Sequence, residues 1–253
     1  HLHKPFDNPK VRQAAIAAGL RMIEEGAAIV DVGGESTRPG AAAVSVQQEI
    51  DRVVPVIEAL AARADVVLSV DTSKPEVITA ALRAGAHLVN DIRALRTPGA
   101  LAAAAAGNAA VCVMHMQGEP ATMQADPSYA DVVAEVREFL LARASACREA
   151  GIAADSICID PGIGFGKTYQ HNVELLRNQR AFTGLGYPLL IGVSRKAVIG
   201  IMTGRPALER AVGSAIAAAF AVQAGASIIR AHDVAATVDA VKVAVALRGR
   251  EAG

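Results

Sequence analysis

Seven short apolar, β-branched runs alternate with longer Ala-rich stretches along the 253-residue chain, and this alternation constrains the fold more than any other feature. The runs are 28–32 (AIVDV), 66–70 (VVLSV), 87–90 (HLVN), 110–114 (AVCVM), 156–160 (SICID), 189–193 (LLIGV) and 227–231 (SIIRA). Each is apolar nearly throughout, as parallel strands covered on both faces are. The segments 9–25, 45–63, 75–84, 131–150 and 206–224 read as helices. Gly26, Gly85, Gly151 and Gly225 stand just ahead of strands, where a glycine closes a helix. Pro75 and Pro206 fit first helical turns. No linker or composition break interrupts the pattern, so residues 1–253 read as one domain. Strand, crossover and parallel strand favour right-handed connections, which leaves a (β/α)8 barrel or a doubly wound open sheet. Seven strands are one short of a barrel, and residues 1–26 carry a helix with no strand before it. A barrel lacking its first strand explains both that count and an opening at His1-Leu2-His3-Lys4 without Met; an open sheet explains the count alone. In the barrel reading an eighth strand belongs between 28–32 and 227–231, whose edges otherwise stay unpaired. Upstream residues are therefore expected.

Composition narrows the function classes. Hydrophobic residues at 52% fill a large core, and with aromatics at 3% and no Trp that core is aliphatic. Twenty-five basic residues balance twenty-five acidic ones, which argues against a broad nucleic-acid or anionic-membrane surface and leaves room for a small basic pocket. No run reads as a transmembrane helix or a signal peptide. Cys112, Cys147 and Cys158 lack the pairing of a disulfide framework or a zinc site. A reducing, cytoplasmic setting is the default, with Cys112 and Cys158 packed in the core.

Polar residues gather at the C-terminal ends of the strands, the face on which parallel α/β folds build their sites. They are 31–40 (DVGGESTRPG), Asp71-Thr72-Ser73, Asn90-Asp91, Met114-His115-Met116, Asp160-Pro161-Gly162, Ser194-Arg195-Lys196 and Arg230-Ala231-His232-Asp233. One acidic strand end is ordinarily a helix cap; seven clusters on one face would need seven separate structural reasons. Arg38, Arg195, Lys196, Arg230 and His232 are cationic or potentially so, and suit a phosphate or pyrophosphate. Asp71, Asn90 and Asp160 suit an edge of parallel N–H donors, as in guanine or a pterin. Other patterns are weak. Gly162-Ile163-Gly164-Phe165-Gly166-Lys167 lacks P-loop spacing, and Gly33-Gly34 lacks the dinucleotide fingerprint. His115 near Cys112 has no acid partner, and His1, His3, His87 and His171 have no metal-ligand spacing.

The motifs VDVGGESTRPG (30–40), SVDTSKPEV (69–77), NDIRAL (90–95), MHMQGEP (114–120), IDPGIGFGKT (159–168), GVSRK (192–196) and RAHDV (230–234) together resemble bacterial dihydropteroate synthases, in one order from about residue 9 to the C-terminus. The resemblance implies a (β/α)8 barrel, a homodimer and the target of sulfonamides. It implies condensation of 6-hydroxymethyl-7,8-dihydropterin diphosphate with p-aminobenzoate, releasing pyrophosphate. By position it implies a pterin pocket of Asp71, Asn90, Asp160 and Lys196 with Met114 beneath the ring. Thr37, Arg38, Arg230 and His232 would hold the diphosphate, and Pro39, Phe165, Gly192, Ser194, Arg195 and Lys196 the p-aminobenzoate. The family opens with a strand and loop of the type GILNVTPDSFSDGG, whose Asn binds Mg2+; nothing here matches it, so no metal ligand is assigned in this chain. Two other readings stand beside the synthase. One is a pterin-binding methyltransferase domain, which would not need SRK and RAH together and would bind a corrinoid partner. The other is a barrel that binds pterin without turnover.

Overall fold

A computed structural model describes residues 2–3, 8–36 and 42–248. Strands and helices alternate: β1 (Leu2–His3), α1 (Pro9–Glu24), β2 (Ile29–Gly33), α2 (Val46–Ala61), β3 (Val67–Asp71), α3 (Pro75–Arg83), β4 (Leu88–Asp91), α4 (Ala100–Ala106) and β5 (Ala110–Met114). They continue with α5 (Val132–Glu149), β6 (Ile157–Asp160), α6 (Tyr169–Arg177), α7 (Arg180–Thr183), β7 (Leu190–Ile191), α8 (Ala197–Thr203), α9 (Ala211–Gln223), β8 (Ile228–Ile229) and α10 (Val234–Leu247). All seven expected strands form, within a few residues of their expected ends. Two readings need correction. Residues 1–26 do hold a strand, since Leu2 and His3 pair in parallel with Val32 and Gly33. Pro206 lies ahead of a short 3-10 turn at 207–209, and α9 begins only at Ala211.

Strands β1 to β6 pair in chain order, every pair parallel, and β7 pairs with β8. An isolated parallel bridge, Ile159 to Leu189, joins β6 to the β7 side. The architecture is a parallel (β/α)8 barrel; among the described residues no ladder joins β8 to β1. A cavity of about 640 Å³ opens along that seam, lined by residues including Met22, Asp31, Asn90, Ile228 and Arg230.

The two-residue period of the strands divides the core. Val30, Val32, Leu68, Val70, Val89, Val111, Val113 and Ile159 face outward, fully buried under the helices. Their neighbours point into the barrel. There Cys112, Cys158 and Leu190 form a separate small cluster with Leu88 and Ile228. Above it the inward series turns polar at the strand ends. Cys112 and Cys158 are buried as expected, and Cys147 of α5 is buried as well.

Helix starts are fixed locally. Ser45 and Gln48 form a capping box on α2, and Asp131 caps α5 through the Ala134 N–H at 2.9 Å. Gly26, Gly85, Gly151 and Gly225 all have φ between 94° and 114°, closing helices ahead of strands as their positions implied. No helix among the described residues is long and apolar enough to cross a membrane.

Candidate active site

Strand register sets the site. Gly33, Asp71 and Asn90 lie side by side on β2, β3 and β4, and Met114 is level with Asp160 on β5 and β6. The loops after β7 and β8 bring Ser194-Arg195-Lys196 and Arg230-Ala231-His232 to the same end. A mouth of about 1180 Å³ forms there, lined by residues including Asp160, Phe165, Gly192, Ser194, Lys196 and Arg230. Arg195 and His232 border it as well. Arg230 and Ala231 also border the seam cavity, so the two spaces meet at that residue pair.

Arg230 is the electrostatic centre. Its Nη2 lies 2.7 Å from Asp31 Oδ2 and 2.7 Å from Asp71 Oδ2. Burial disfavours its charge, but Asp31, Asp71 and Asp160 outweigh that and raise its pKa. Burial likewise pushes the Asp31 carboxyl up, and Arg230, with Ser69 and Asn90, more than reverses it, holding Asp31 below the usual range. Asp31 also accepts the Asn90 Nδ2–H at 3.1 Å. The diphosphate role implied for Arg230 thus belongs to a guanidinium already held by two carboxylates.

Asp160 accepts the Gly162 N–H at 2.8 Å, and burial raises its pKa against the pull of Lys196 and Arg230. Lys196 donates to Ile163 O at 2.6 Å and stands 4.9 Å from the Phe165 ring centroid. Burial lowers its pKa to about 8. Met114 is buried with Ile92, Met116 and Met123, against Phe165. Of this cluster Met123 and Phe165 border the mouth.

His232 corrects the count of cations. Its Nδ1 and its backbone N–H both meet Ser194 Oγ at 3.1 Å. Burial lowers its pKa to about 4, so near neutral pH it is an uncharged ring. Arg195 is a non-glycine residue at φ 57°, a conformation that persists only when its surroundings fix it. Asp233 clamps its guanidinium at 2.9 and 2.5 Å, Ser214 Oγ accepts its backbone N–H at 3.0 Å, and Arg210 donates to its carbonyl at 3.0 Å.

Within the Asn90-Asp91 pair the roles divide by strand alternation. Asp91 points away from the barrel interior, binds Ser73 Oγ, and accepts the N–H groups of Arg93 and Leu95, both at 2.8 Å. It holds a turn in which Ala94 and Leu95 sit at φ 54° and 57°. Thr37, Arg38 and Pro39 lie outside the described residues. The chain on either side of them is tied by Lys74, which donates to Glu35 at 2.8 Å, Glu49 at 2.6 Å and Val44 O at 2.7 Å.

Two residues with no assigned role prove central. Asp31 is one; the signal for it was a carboxylate in the middle of an apolar strand run. Lys167, at the end of the glycine-rich run, is the other. Its Nζ donates to Gly162 O and Phe165 O, each at 2.9 Å, and to His115 O at 3.3 Å, and meets His115 Nδ1 at 2.9 Å. It braces the loop that carries Ile163 and Phe165. Gly162 makes that brace possible, since a Cβ there would come within 1.8 Å of His115 O and its φ is +70°. Burial lowers the His115 pKa to about 3, so the ring accepts from Lys167.

Strand-end carboxylates and cations thus gather at one end of the barrel. Residues 6–232 match the family model described as pterin binding enzyme, and the chain belongs to that family. Among characterised relatives it is 53% identical to the dihydropteroate synthase of Escherichia coli K12 over 222 residues, 88% of this chain and 79% of that protein. It is 52% identical to the Haemophilus influenzae dihydropteroate synthase over 223 residues, 88% and 81% of the two chains. Among solved structures, the Yersinia pestis dihydropteroate synthase with a sulfonamide drug superposes at TM-score 0.92 and 48% identity, covering 96% of this chain and 88% of that one. The Xanthomonas albilineans enzyme in complex with 7,8-dihydropteroate superposes at TM-score 0.87 and 48% identity, covering 94% and 86%.

Lys167 yields a test of how the site is held. Burial lowers its pKa to about 7, below the value of a free lysine, so the folded protein binds this proton less tightly than the unfolded chain. Folding then releases protons from about pH 7 upward, and stability rises with pH through that window. Lys167→Met should cost about 3 kcal/mol by leaving buried carbonyls unpaired. The gap to the native protein should widen from pH 7 to about pH 9, as linkage requires. Urea unfolding at both pH values checks this; a gap that is constant or narrows removes the lysine from the account.

Proposed function

We infer that this chain catalyses the dihydropteroate synthase reaction, joining 6-hydroxymethyl-7,8-dihydropterin diphosphate to p-aminobenzoate with release of pyrophosphate. The observation that carries it is the gathering of Asp71, Asn90, Asp160, Lys196 and Arg230 at the C-terminal ends of the strands, where Arg230 joins the mouth to the seam cavity, in a chain about half identical to dihydropteroate synthases over most of its length. The Xanthomonas albilineans relative has been crystallised with 4-aminobenzoic acid and with 7,8-dihydropteroate. We assign the pterin's donor edge to Asp71, Asn90 and Asp160, its ring to Lys196 and the Met114 side. The diphosphate goes to Thr37, Arg38, Arg230 and His232, with His232 acting as a neutral hydrogen-bonding group. The p-aminobenzoate goes to Pro39, Phe165, Gly192, Ser194, Arg195 and Lys196.

The chemistry that suits this arrangement is electrostatic. The bond from the pterin methylene to the diphosphate oxygen breaks ahead of attack, and the ring shares the positive charge that develops. Buried carboxylates favour that charge, and the arginines favour the charge growing on pyrophosphate. The aryl amine is a neutral nucleophile that needs placing more than activating. Mg2+ is proposed from the resemblance alone. Among the described residues no three His, Cys, Asp or Glu side chains gather into a metal site, and no step here is assigned to the ion. Three buried, unbridged thiols support a reducing, cytoplasmic setting.

The reaction is tested by mixing the protein with both substrates and following pyrophosphate and product together. Product should appear only when both are present, with one pyrophosphate released for each product molecule. Asp160→Asn should retain the fold and weaken 6-hydroxymethylpterin roughly tenfold or more, the worth of a charge-assisted hydrogen bond. Failure to form product from both substrates, or pterin affinity unchanged in Asp160→Asn, contradicts the reading.

We also propose a homodimer through α9 and α10. Val212, Ile216 and Phe220 stand at four-residue spacing on α9 and are 73%, 54% and 72% exposed, with Val245 and Leu247 of α10 exposed as well. A self-complementary apolar face of this kind fits a second copy of the chain. Phe220→Glu should convert a dimer to a folded monomer in sedimentation velocity. A native protein that sediments as a monomer at assay concentration overturns this.

A further inference from the structure

The pterin pocket assigned above depends on which atom Asn90 offers its ligand. Asparagine carries a donor and an acceptor on one planar group, and turning it over exchanges them. Only one orientation suits an edge of N–H donors. In the structure Asn90 Nδ2 donates to Asp31 Oδ2 at 3.1 Å. The same Asp31 oxygen lies 2.7 Å from Arg230 Nη2, and that nitrogen is shared with Asp71. Asp31 is buried in the barrel, with 11% of its side chain exposed. A carboxylate facing a guanidinium in this way has no proton to give. It accepts only the amino half of Asn90, which leaves the amide oxygen as the half that can face a ligand.

We propose that Asp31 is the positioning residue of this pocket: it fixes Asn90 with its oxygen toward the ligand and anchors the Arg230 guanidinium between the strand-end carboxylates. The groups assigned to the donor edge are then all acceptors, Asp71, Asn90 Oδ1 and Asp160, and the selectivity for donor-edged rings is set by a residue that need not touch them. The inference rests on the pterin reading of the site. It extends that reading to a residue in the middle of β2, one step back from the strand end. A role confined to neutralising Arg230 would leave the Asn90 amide out of the account.

A swap of the two side chains separates these roles. Asp31→Asn leaves no acceptor-only partner for Asn90, which can then turn its amino group to the ligand. Asn90→Asp sets two carboxylates against each other across the same contact. Each single variant should weaken 6-hydroxymethylpterin in calorimetric titration by roughly tenfold or more, as expected when a buried hydrogen bond to a charged group is lost. The Asp31→Asn/Asn90→Asp double variant restores an amide facing a carboxylate and should recover most of that loss. In steady-state assays Asp31→Asn should raise KM for the pterin substrate and leave KM for p-aminobenzoate near the native value. Losses that multiply in the double variant overturn the proposal, as does an Asp31→Asn protein with native pterin affinity or with both KM values raised alike. Should Asp31→Asn fail to fold, Asn90→Asp and the double variant still decide, since only recovery in the double supports the pairing. Native protein that binds no pterin at all would instead overturn the functional reading on which the inference stands.

Discussion

Three carboxylates buried at one end of a barrel are tolerable only with cations buried beside them, and the site is organised around that requirement. Asp31, Asp71 and Asp160 are each less than a tenth exposed. Isolated, any one would take up a proton before accepting the desolvation. Arg230 joins the first two directly, and its charge together with that of Lys196 acts on the third. Removing either side of such an arrangement costs several kcal/mol because the other side is left buried and alone. The result is a pocket whose charges are set before any ligand arrives, which is the condition for electrostatic catalysis.

Around that centre the loops are held by hydrogen bonds and ion pairs of their own. Asp233, Ser214 and Arg210 hold the Arg195 turn in a left-handed conformation. Asp91 holds the turn after β4, and Lys167 holds the glycine-rich loop after β6. Residues that would read as ligand contacts from their strand-end position are, in these cases, the supports of their neighbours. Precision at the site comes from these supports, since strand ends alone leave loop side chains free to move.

Much of this was legible in the sequence. The alternation of apolar runs and Ala-rich segments marked the strands β2 to β8, because parallel strands buried on both faces leave a continuous apolar signature. The strand-end polar clusters marked the face of the site. Other features were not legible, for separable reasons. The pairing of Leu2–His3 with β2 carries no signal in a two-residue strand. The protonation of His232 depends on burial that only the folded chain supplies. Asp31 and Lys167 lie beside residues that drew attention to themselves, and their roles come from contacts 59 and 52 positions away in sequence, with Asn90 and His115. The apolar stripe of α9 was visible as composition, but its exposure was not, since an Ala-rich helix can be covered on any face.

In this account buried carboxylates and an oriented amide select a ligand by its donor edge. That selection is tested most directly by comparing two ring ligands of the same size and shape. 6-Hydroxymethylpterin carries an amino group where 6-hydroxymethyllumazine carries a carbonyl, so at that position one presents a donor and the other an acceptor. Calorimetric titration should give the pterin an advantage of roughly tenfold to a hundredfold, the cost of setting a buried carboxylate against an acceptor. Equal affinities would show that shape and apolar contact select the ring and that the charged floor serves another purpose.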